Sequence, residues 1–405
     1  MDEKLELRFP KQFLWGCATS AHQIEGGLTN DWSDWEKSER RTKHLQKLNL
    51  NPADFISGLA ANSFVEQNAD IACMKELGLN AYRFSVDWSR IEPQPGVFDE
   101  TALATYLEFI KKLRAHGIEP LLTLWHWPVP LWARDLGGWQ SGKIIEPFLR
   151  FVEKTVNYLN QEVNFWITLN EPTVYTSQSF LAGVWPPQKK SLLAYYQVIG
   201  NLIKAHRQAY DIIKKIDANN QVAIASHNIY FEAKGNEPIN RWLKAGADWW
   251  WNDRFLKKID DKQDFIGLNY YFHNLINYKF GRHHDYEKYS DMSWGLHPEG
   301  IYHLLKDLKK YNKPIYITEN GLADKGDQHR SWYINEVLQK VHQAIEAGVP
   351  VKGYFHWSLI DNFEWSHGFE PRFGLFEVNF QTFERLARPS AQFYADICQH
   401  NRVFK

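Results

Sequence analysis

Short apolar runs recur along the chain and alternate with longer segments of helical periodicity. The runs lie at 14–18, 81–86, 120–126, 165–169, 222–226, 265–270, 315–318 and 351–357. Because a strand that is almost continuously apolar is covered on both faces, these runs predict parallel strands beneath helices. Successive runs are about 48 residues apart on average, enough for a strand, a helix and two loops. The pattern therefore predicts eight strand-and-helix units.

Two of the intervening helices can be placed from their end signals. Asp99 is a suitable N-cap, and Gly117 is a suitable stop. Between them, one helical face carries Leu103, Leu107, Ile110 and Leu113. The same spacing recurs before Gly348 at Ile334, Val337, Leu338, Val341 and Ile345.

Eight such units predict an α/β fold of one kind, a closed (β/α)8 TIM barrel. A doubly wound open sheet is the competing architecture, but no run is followed by the GxGxxG or GxxxxGK(S/T) loops that often accompany it. No linker or low-complexity tract interrupts the 405 residues. We therefore predict a single barrel domain over residues 1–405.

Charge, hydropathy and cysteine content argue against a nucleic-acid-binding, membrane-spanning or secreted protein. Lys plus Arg is 47 and Asp plus Glu is 48, for a net charge of −1, so the chain lacks the basic excess that nucleic-acid binding requires. The segment at 121–133 is too short to span a bilayer, and residues 1–4 begin no secretory signal. Three cysteines without metal-ligand spacing suit a reducing cytoplasm. The charged segments at 37–47 and 282–284 suggest solvated loops or helix faces.

Aromatic side chains make up 15% of the chain, including 18 Trp. Many must fill the core, but Trp and Tyr also form pocket walls that are apolar yet offer hydrogen bonds. Sugars, with apolar faces and hydroxyl rims, match such a wall.

Carboxylates follow two of the predicted strands. Glu171 ends the fourth and Glu319 the seventh. In a barrel the C-terminal strand ends build the active site, and these two strands lie on roughly opposite sides. Hydrolysis of an acetal such as a glycosidic bond typically requires two carboxyl groups that face each other across the bond. An isolated strand-end Glu, however, is usually solvated or paired with Lys or Arg.

Polar and aromatic companions at five further strand ends favour a ligand site over a structural rim. They are Gln23, Glu25, Arg83, Trp88, His126, Trp127, Asn269, Tyr271, Trp357, Glu364 and Trp365.

From Phe13 to about Arg388 the chain resembles glycoside hydrolase family 1, the β-glucosidase and β-galactosidase family with a (β/α)8 barrel. Five motifs in order carry the resemblance: Phe-Leu-Trp-Gly-Cys-Ala-Thr-Ser-Ala-His-Gln-Ile-Glu-Gly at 13–26, Tyr-Arg-Phe-Ser at 82–85, Leu-Asn-Glu-Pro at 169–172, Ile-Thr-Glu-Asn-Gly at 317–321 and His-Trp-Ser-Leu-Ile-Asp-Asn-Phe-Glu-Trp at 356–365. The Asn-Glu-Pro alone is weak, since related barrel glycosidases share it.

The resemblance implies roles for particular residues. Glu171 is similar to the general acid/base and Glu319 to the nucleophile, with Arg83, Asn269 and Tyr271 orienting the nucleophile. The sugar-binding residues it implies are Gln23, His126, Asn170, Trp357, Glu364 and Trp365. Trp294 resembles a platform for the leaving group, and packing in the core is an alternative for it.

The expected reaction is a retaining double displacement, for which the carboxyl groups must lie roughly 5 to 5.5 Å apart. We expect Arg83 and Tyr271 to keep Glu319 ionised, and apolar neighbours such as Trp166 and Pro172, together with the second carboxylate, to raise the pKa of Glu171. No metal or organic cofactor is implied.

The expected substrates are small-molecule β-glycosides or oligosaccharides. Phospho-glycosidase relatives hold a sugar phosphate with Ser, Lys and Tyr after the eighth strand, where this chain has Glu364 and Trp365. Unphosphorylated glucosides, and also galactosides or fucosides, are therefore favoured. The connection from 227 to 265 is shorter than most relatives carry, which predicts a more open mouth and weaker selection of the leaving group. A non-catalytic sugar-binding barrel and a neighbouring-family endo-β-glycanase remain alternatives.

Overall fold

The computed structural model describes residues 5–279 and 286–405 and contains all eight predicted strands. The predicted segment at 282–284 lies outside the described residues. The strands, which we number in chain order, are β1 Leu14–Ala18, β2 Ala81–Ser85, β3 Glu119–Trp125, β4 Phe165–Asn170, β5 Gln221–Ala233, β6 Ile266–Ile276, β7 Ile315–Asn320 and β8 Val351–Trp357. They pair in parallel and in sequential order, and β8 pairs back with β1 to close a barrel. The predicted (β/α)8 fold is confirmed.

Helices surround this barrel. They are α1 Ala21–Ile24, α2 Asp31–Glu36, α3 Glu39–Lys47, α4 Gln67–Glu76, α5 Trp88–Ile91, α6 Glu100–Ala115, α7 Leu131–Asp135, α8 Ile145–Leu159, α9 Pro172–Ser177, α10 Leu192–Ile216, α11 Pro238–Ala247, α12 Arg254–Ile259, α13 Glu299–Leu308, α14 Arg330–Glu346 and α15 Pro389–His400. Two π-helical segments lie at Gln178–Ala182 and Asp248–Asp253. Single 3₁₀ turns lie at Pro52–Phe55, Gly138–Gln140, Gly142–Ile144, Asp260–Lys262, Lys309–Tyr311 and Trp365–His367.

The two helices placed from their end signals are confirmed. Asp99 caps α6, because its carboxylate accepts the backbone N–H groups of Thr101 and Ala102 at 2.9 and 3.0 Å. Gly117, just beyond the helix, has a φ of +71°, which glycine adopts at no steric cost.

Alternate strand residues face the barrel interior and the surrounding helices. The interior is filled by small and apolar side chains, among them Ala18, Ala81, Leu121, Ile167, Ala223 and Phe355. A much larger core lies between strands and helices. The filled interior closes the N-terminal end of the barrel, and the residues at the C-terminal strand ends surround a large cavity.

Strands β5 and β6 extend further towards the C-terminus than the sequence predicts. Both strands continue past the barrel, and Tyr230 to Ala233 pair with His273 to Ile276. Two small antiparallel sheets were also not predicted: Glu6–Arg8 with Arg402–Phe404, and Phe376–Val378 with Arg385–Ala387. Within the described ranges, every helix is too short or too polar to cross a bilayer.

Candidate active site

A cavity of about 1340 Å³ opens at the C-terminal ends of the strands, and both Glu171 and Glu319 line it. Other predicted site residues on its wall are His126, Tyr271, Trp294, Trp357, Glu364 and Trp365. The two carboxylates from opposite strands therefore share one cavity, as the barrel topology predicts.

Irregular strand pairing aims the polar side chains at this cavity. The register shifts between Ile167 and Asn170 at the end of β4, and between Leu268 and Asn269 in β6. An extra residue in a strand turns the following side chains to a new direction, and such bulges recur beside active sites. Glu171 itself has a φ of +43°, a left-handed conformation that costs a non-glycine residue free energy and is common at functional sites.

Glu319 is a buried carboxylate held by donors. Arg83 Nη1 contacts its Oε1, and the Tyr271 hydroxyl donates to its Oε2 at 3.0 Å. Burial raises the pKa of Glu319 above its ordinary value, while Arg83, Tyr271 and Asn269 oppose that rise. These neighbours stabilise the ionised form.

Glu171 has a different environment. It accepts a hydrogen bond from Asn269 Nδ2 at 2.7 Å, and Thr318 fixes that amide by donating to its Oδ1 at 2.6 Å. Burial and the nearby charge of Glu319 raise the pKa of Glu171 well above its ordinary value. The protonated form is therefore favoured at this position.

Trp166 does not contribute to that environment, so its predicted place beside Glu171 is wrong. Its side chain lies in the core between strands and helices, and its Nε1 donates to Asn220 Oδ1 at 3.1 Å. The alternation of a strand turns residue 166 outward, whereas the bulge after residue 167 turns Asn170 inward.

A chain of hydrogen bonds fixes the tautomer of His126. Arg83 Nη2 donates to Asn170 Oδ1 at 2.6 Å, so the Asn170 amide nitrogen faces His126 Nε2 at 3.0 Å. Nε2 must accept, which places the ring proton on Nδ1. Nδ1 has no partner within residues 5–279 and 286–405. Burial lowers the pKa of His126 well below its ordinary value, so the ring is neutral and its buried N–H is unpaired among the described residues.

Gln23 and Asn170 do not line the cavity. Both are fully buried, and Gln23 Nε2 donates to Asn362 Oδ1 at 2.8 Å and to Glu364 Oε2 at 3.2 Å. Removal from water and the charge of Glu319 raise the pKa of Glu364 to about 8. Gln23 thus positions Glu364, and its direct contact with a sugar stays a prediction.

Tryptophan rings form the remaining wall. Trp365 lies nearly parallel to the His126 ring at 6.0 Å and contacts Trp127 at 4.5 Å. Trp294 packs on Phe272 at 4.6 Å and also lines the cavity, so it is a wall residue rather than part of a closed core.

Two of the predicted companions lie elsewhere. Glu25 pairs with Arg90 at 3.0 Å and accepts from Tyr106 at 2.8 Å, and it does not line the cavity. Trp88 packs against helix residues such as Phe151. A strand-end position alone therefore does not bring a side chain into the site.

The sequence reasoning missed His227 and Trp185, which both line the cavity. His227 stacks on Tyr271 with ring centres 6.2 Å apart, and it directly follows the predicted fifth strand. The strand-end rule would have found it. Trp185 follows a π-helical segment, and no local pattern indicates its place.

One group of side chains could hold a metal ion. Glu232, His273 and His297 bring one ligand atom each within 4.8 Å of one another. None of the three lines the cavity. The expectation that catalysis needs no metal stays a prediction.

Comparison with known proteins agrees with this geometry. The sequence model of Glycosyl hydrolase family 1 matches residues 5–245 and 244–403. Beta-glucosidase A of Acetivibrio thermocellus is 33% identical over 448 aligned positions, which cover 98% of this chain and 99% of the relative. The alignment is longer than the 405 residues of the chain, so the relative carries additional segments.

Solved structures give the same result. A beta-glycosidase from Pyrococcus horikoshii is 37% identical with a TM-score of 0.88, covering 98% of this chain and 96% of that chain. A family 1 β-glucosidase from Thermotoga maritima is 29% identical with a TM-score of 0.90, covering 98% and 99%. The resemblance seen in the five motifs is therefore confirmed: this chain belongs to glycosyl hydrolase family 1.

Proposed function

We propose that the protein is a retaining, exo-acting β-glycosidase that hydrolyses unphosphorylated β-glucosides. The observation that carries this proposal is a pair of buried carboxyl groups in one cavity with opposite electrostatic surroundings. Arg83 and Tyr271 contact Glu319, whereas Glu171 accepts only a neutral amide donor among its described hydrogen bonds. Such a difference assigns the two carboxyl groups different roles.

In the first step a carboxylate oxygen of Glu319 bonds to the anomeric carbon of the sugar. The bond from that carbon to the aglycone oxygen breaks, and the proton of Glu171 moves to the departing oxygen. The products are an alcohol and a glycosyl ester on Glu319.

In the second step Glu171, now ionised, takes a proton from water while the water oxygen attacks the same carbon. The ester bond breaks and returns the carboxylate of Glu319 and the proton of Glu171. Two inversions give net retention, so the sugar leaves in the β configuration.

The site supports binding of a terminal sugar. Glu364, Trp365 and Trp357 line the cavity, and the rings of Trp357 and Trp365 lie 6.1 and 6.0 Å from that of His126, whose Nδ1–H is unpaired among the described residues. A carboxyl group at 364 offers acceptor oxygens to sugar hydroxyls and, when protonated, a donor, and it provides no cation for a sugar phosphate. Relatives named beta-glucosidase support a glucoside, and the same groups suit a galactoside or fucoside.

Two further expectations accompany this function. We propose that residues 1–405 form one glycosidase domain, since the two matched segments run through one barrel. We also propose a cytoplasmic location, supported by three buried cysteines without disulfides.

Product stereochemistry and two variants test the proposal. Proton NMR during hydrolysis of an aryl β-glucoside should show the β-anomer first. Glu319→Ala should lose turnover, and azide should restore part of it as the α-glycosyl azide. Glu171→Ala should slow poor leaving groups far more than activated aryl groups, because only the former need a proton.

The matched control is Glu25→Ala, which removes another buried carboxyl group that does not line the cavity. It should retain turnover at temperatures where it is folded. Release of the α-anomer, or near-normal rates in both site variants, would contradict the proposal.

A further inference from the structure

The outer part of the active-site cavity is lined by basic side chains. At about 1340 Å³, the cavity exceeds the roughly 300 to 1,000 Å³ of typical small-molecule pockets. One sugar held between Glu171, Glu319 and Glu364 leaves the outer volume for the leaving group. Helix α3 and the segment after the π-helix at Gln178–Ala182 line that outer volume.

Helix α3 presents one face to solvent and cavity and the other to the protein. Arg40, Lys43 and Lys47 are exposed and lie three and four residues apart, hence on one side of the helix. Arg41 and Leu45 are buried on the other side.

Arg41 anchors this helix beside the sugar site. Its Nη2 donates to the carbonyl oxygen of Ser366, next to Trp365, and its guanidinium lies 4.7 Å from the Trp35 ring centre. Helix α3, which carries the exposed basic face, is therefore hydrogen-bonded to the loop that contains Glu364.

Acidic and basic side chains are segregated within the cavity. Its acidic lining residues are Glu171, Glu319 and Glu364 at the inner end and Glu39 on α3, which pairs with Lys43 at 2.5 Å. The outer part adds Arg40, Lys43, Lys47 and Lys190, which we call the basic wall. The whole chain has a net charge of only −1, so this positive surface is local.

We propose that the basic wall is a leaving-group subsite that favours β-glucosides whose aglycone carries an anionic group, such as a carboxylate. The inference rests on the proposed glucosidase function and adds the substrate class. A cleft lined by one sign of charge concentrates ligands of the opposite sign and speeds their association. The short connection after β5 predicts weak selection by shape, and the basic wall adds selection by charge.

Two matched substrates test this proposal: the β-glucosides of 4-hydroxybenzoate and of 4-hydroxybenzamide. They are similar in size and differ in charge, and the ratio of their kcat/KM values is the readout. In the double variant Lys43→Glu with Lys47→Glu, the ratio of anionic to neutral substrate should fall by about five- to tenfold. The ratio in the unaltered protein should also fall in about 0.5 M NaCl, because salt screens exposed charges.

The control carries the same charge change elsewhere. Lys215 and Lys352 are exposed at the opposite end of the barrel, and replacing both by Glu should leave the ratio unchanged. Turnover of the neutral glucoside reports folding in every variant.

The outcomes separate the two proposals. An unchanged ratio in the α3 variant, or an equal fall in the control, overturns the subsite while the glucosidase function stands. Failure of the unaltered protein to hydrolyse either glucoside overturns the glucosidase function itself.

Discussion

The guanidinium of Arg83 contacts both Glu319 and Asn170. One nitrogen contacts Glu319, and the other donates to Asn170, which in turn determines the tautomer of His126. A planar guanidinium places a separate nitrogen against each acceptor in a fixed geometry, whereas Lys has a single nitrogen for both. Arg83 is therefore placed to position both the nucleophile and a sugar-binding ring.

Removing the Tyr271 hydroxyl tests the electrostatic assignment of Glu319. This hydroxyl donates to the carboxylate and lowers its pKa, so Tyr271→Phe should raise the pKa of Glu319. Activity that needs the ionised form is lost as pH falls through this pKa. The acidic limb of the kcat/KM profile should therefore move to higher pH, and kcat should fall by about 10- to 100-fold.

Tyr175→Phe is the matched control, because Tyr175 is a buried tyrosine packed on Trp125 outside the cavity. Its acidic limb should stay in place. If the pH profile of kcat/KM for Tyr271→Phe coincides with that of the unaltered protein, Tyr271 does not lower the pKa of Glu319.

At the scale of elements, the strand starts were predictable and some strand ends were not. Apolar runs predicted β1 and β8 with their full bounds. The extensions of β5 and β6 contain polar residues such as Asn228 and Glu232, so the apolar pattern stops before the strand does. Pairing between the two extensions satisfies the hydrogen bonds of their backbone groups. A local sequence pattern does not show which distant strand will pair, so it could not predict the extensions.

The cap of α6 allows a test of helix stability without touching the site. Asp99→Ala removes an acceptor for two backbone N–H groups and should cost about 1 kcal/mol of the free energy of unfolding. Urea unfolding should show a lower midpoint with an unchanged slope.

Glu108→Ala on the exposed side of the same helix is the comparison. Among the residues that the structure describes, Glu108 pairs with Lys111 alone, at the surface, so its replacement should cost about 0.5 kcal/mol or less. Equal losses in the two variants would argue against the cap.

At the scale of the whole molecule, a buried carboxyl group that serves the cavity also lowers the free energy of unfolding when it is ionised. Glu364 has a pKa of about 8 in the folded protein against 4.5 as its ordinary value. The folded state therefore binds this proton more tightly than the unfolded state. The contribution of Glu364 to the free energy of unfolding consequently falls as pH rises from about 4.5 to about 8.

Glu364→Gln removes that titration and should flatten the dependence of Tm on pH over this window. Relative to the unaltered protein, Tm at pH 8 should rise by about 5 °C, with little difference near pH 4.5. Scanning calorimetry across the window measures the effect, with Glu108→Gln as an exposed control. Parallel Tm curves for the unaltered protein and Glu364→Gln would show that Glu364 does not carry this cost.

The sequence alone determined the number and order of the barrel strands, the α6 cap, and the two glutamates at strand ends. These features depend on local periodicity, on neighbouring backbone groups and on short motifs, all of which are present in a continuous stretch of chain. The family resemblance added six further side chains of the cavity wall: His126, Tyr271, Trp294, Trp357, Glu364 and Trp365.

Only the tertiary structure decided which strand-end side chains meet. Arg83 and Glu319 are 236 positions apart, and closure of the barrel brings them into contact. Strand bulges turned Asn170 inward, while Trp166 faces the helices and Trp88 and Glu25 lie away from the cavity. Burial and charge at each carboxyl group arise from all neighbours at once, so the raised pKa of Glu171 and the basic wall exist only in the folded molecule.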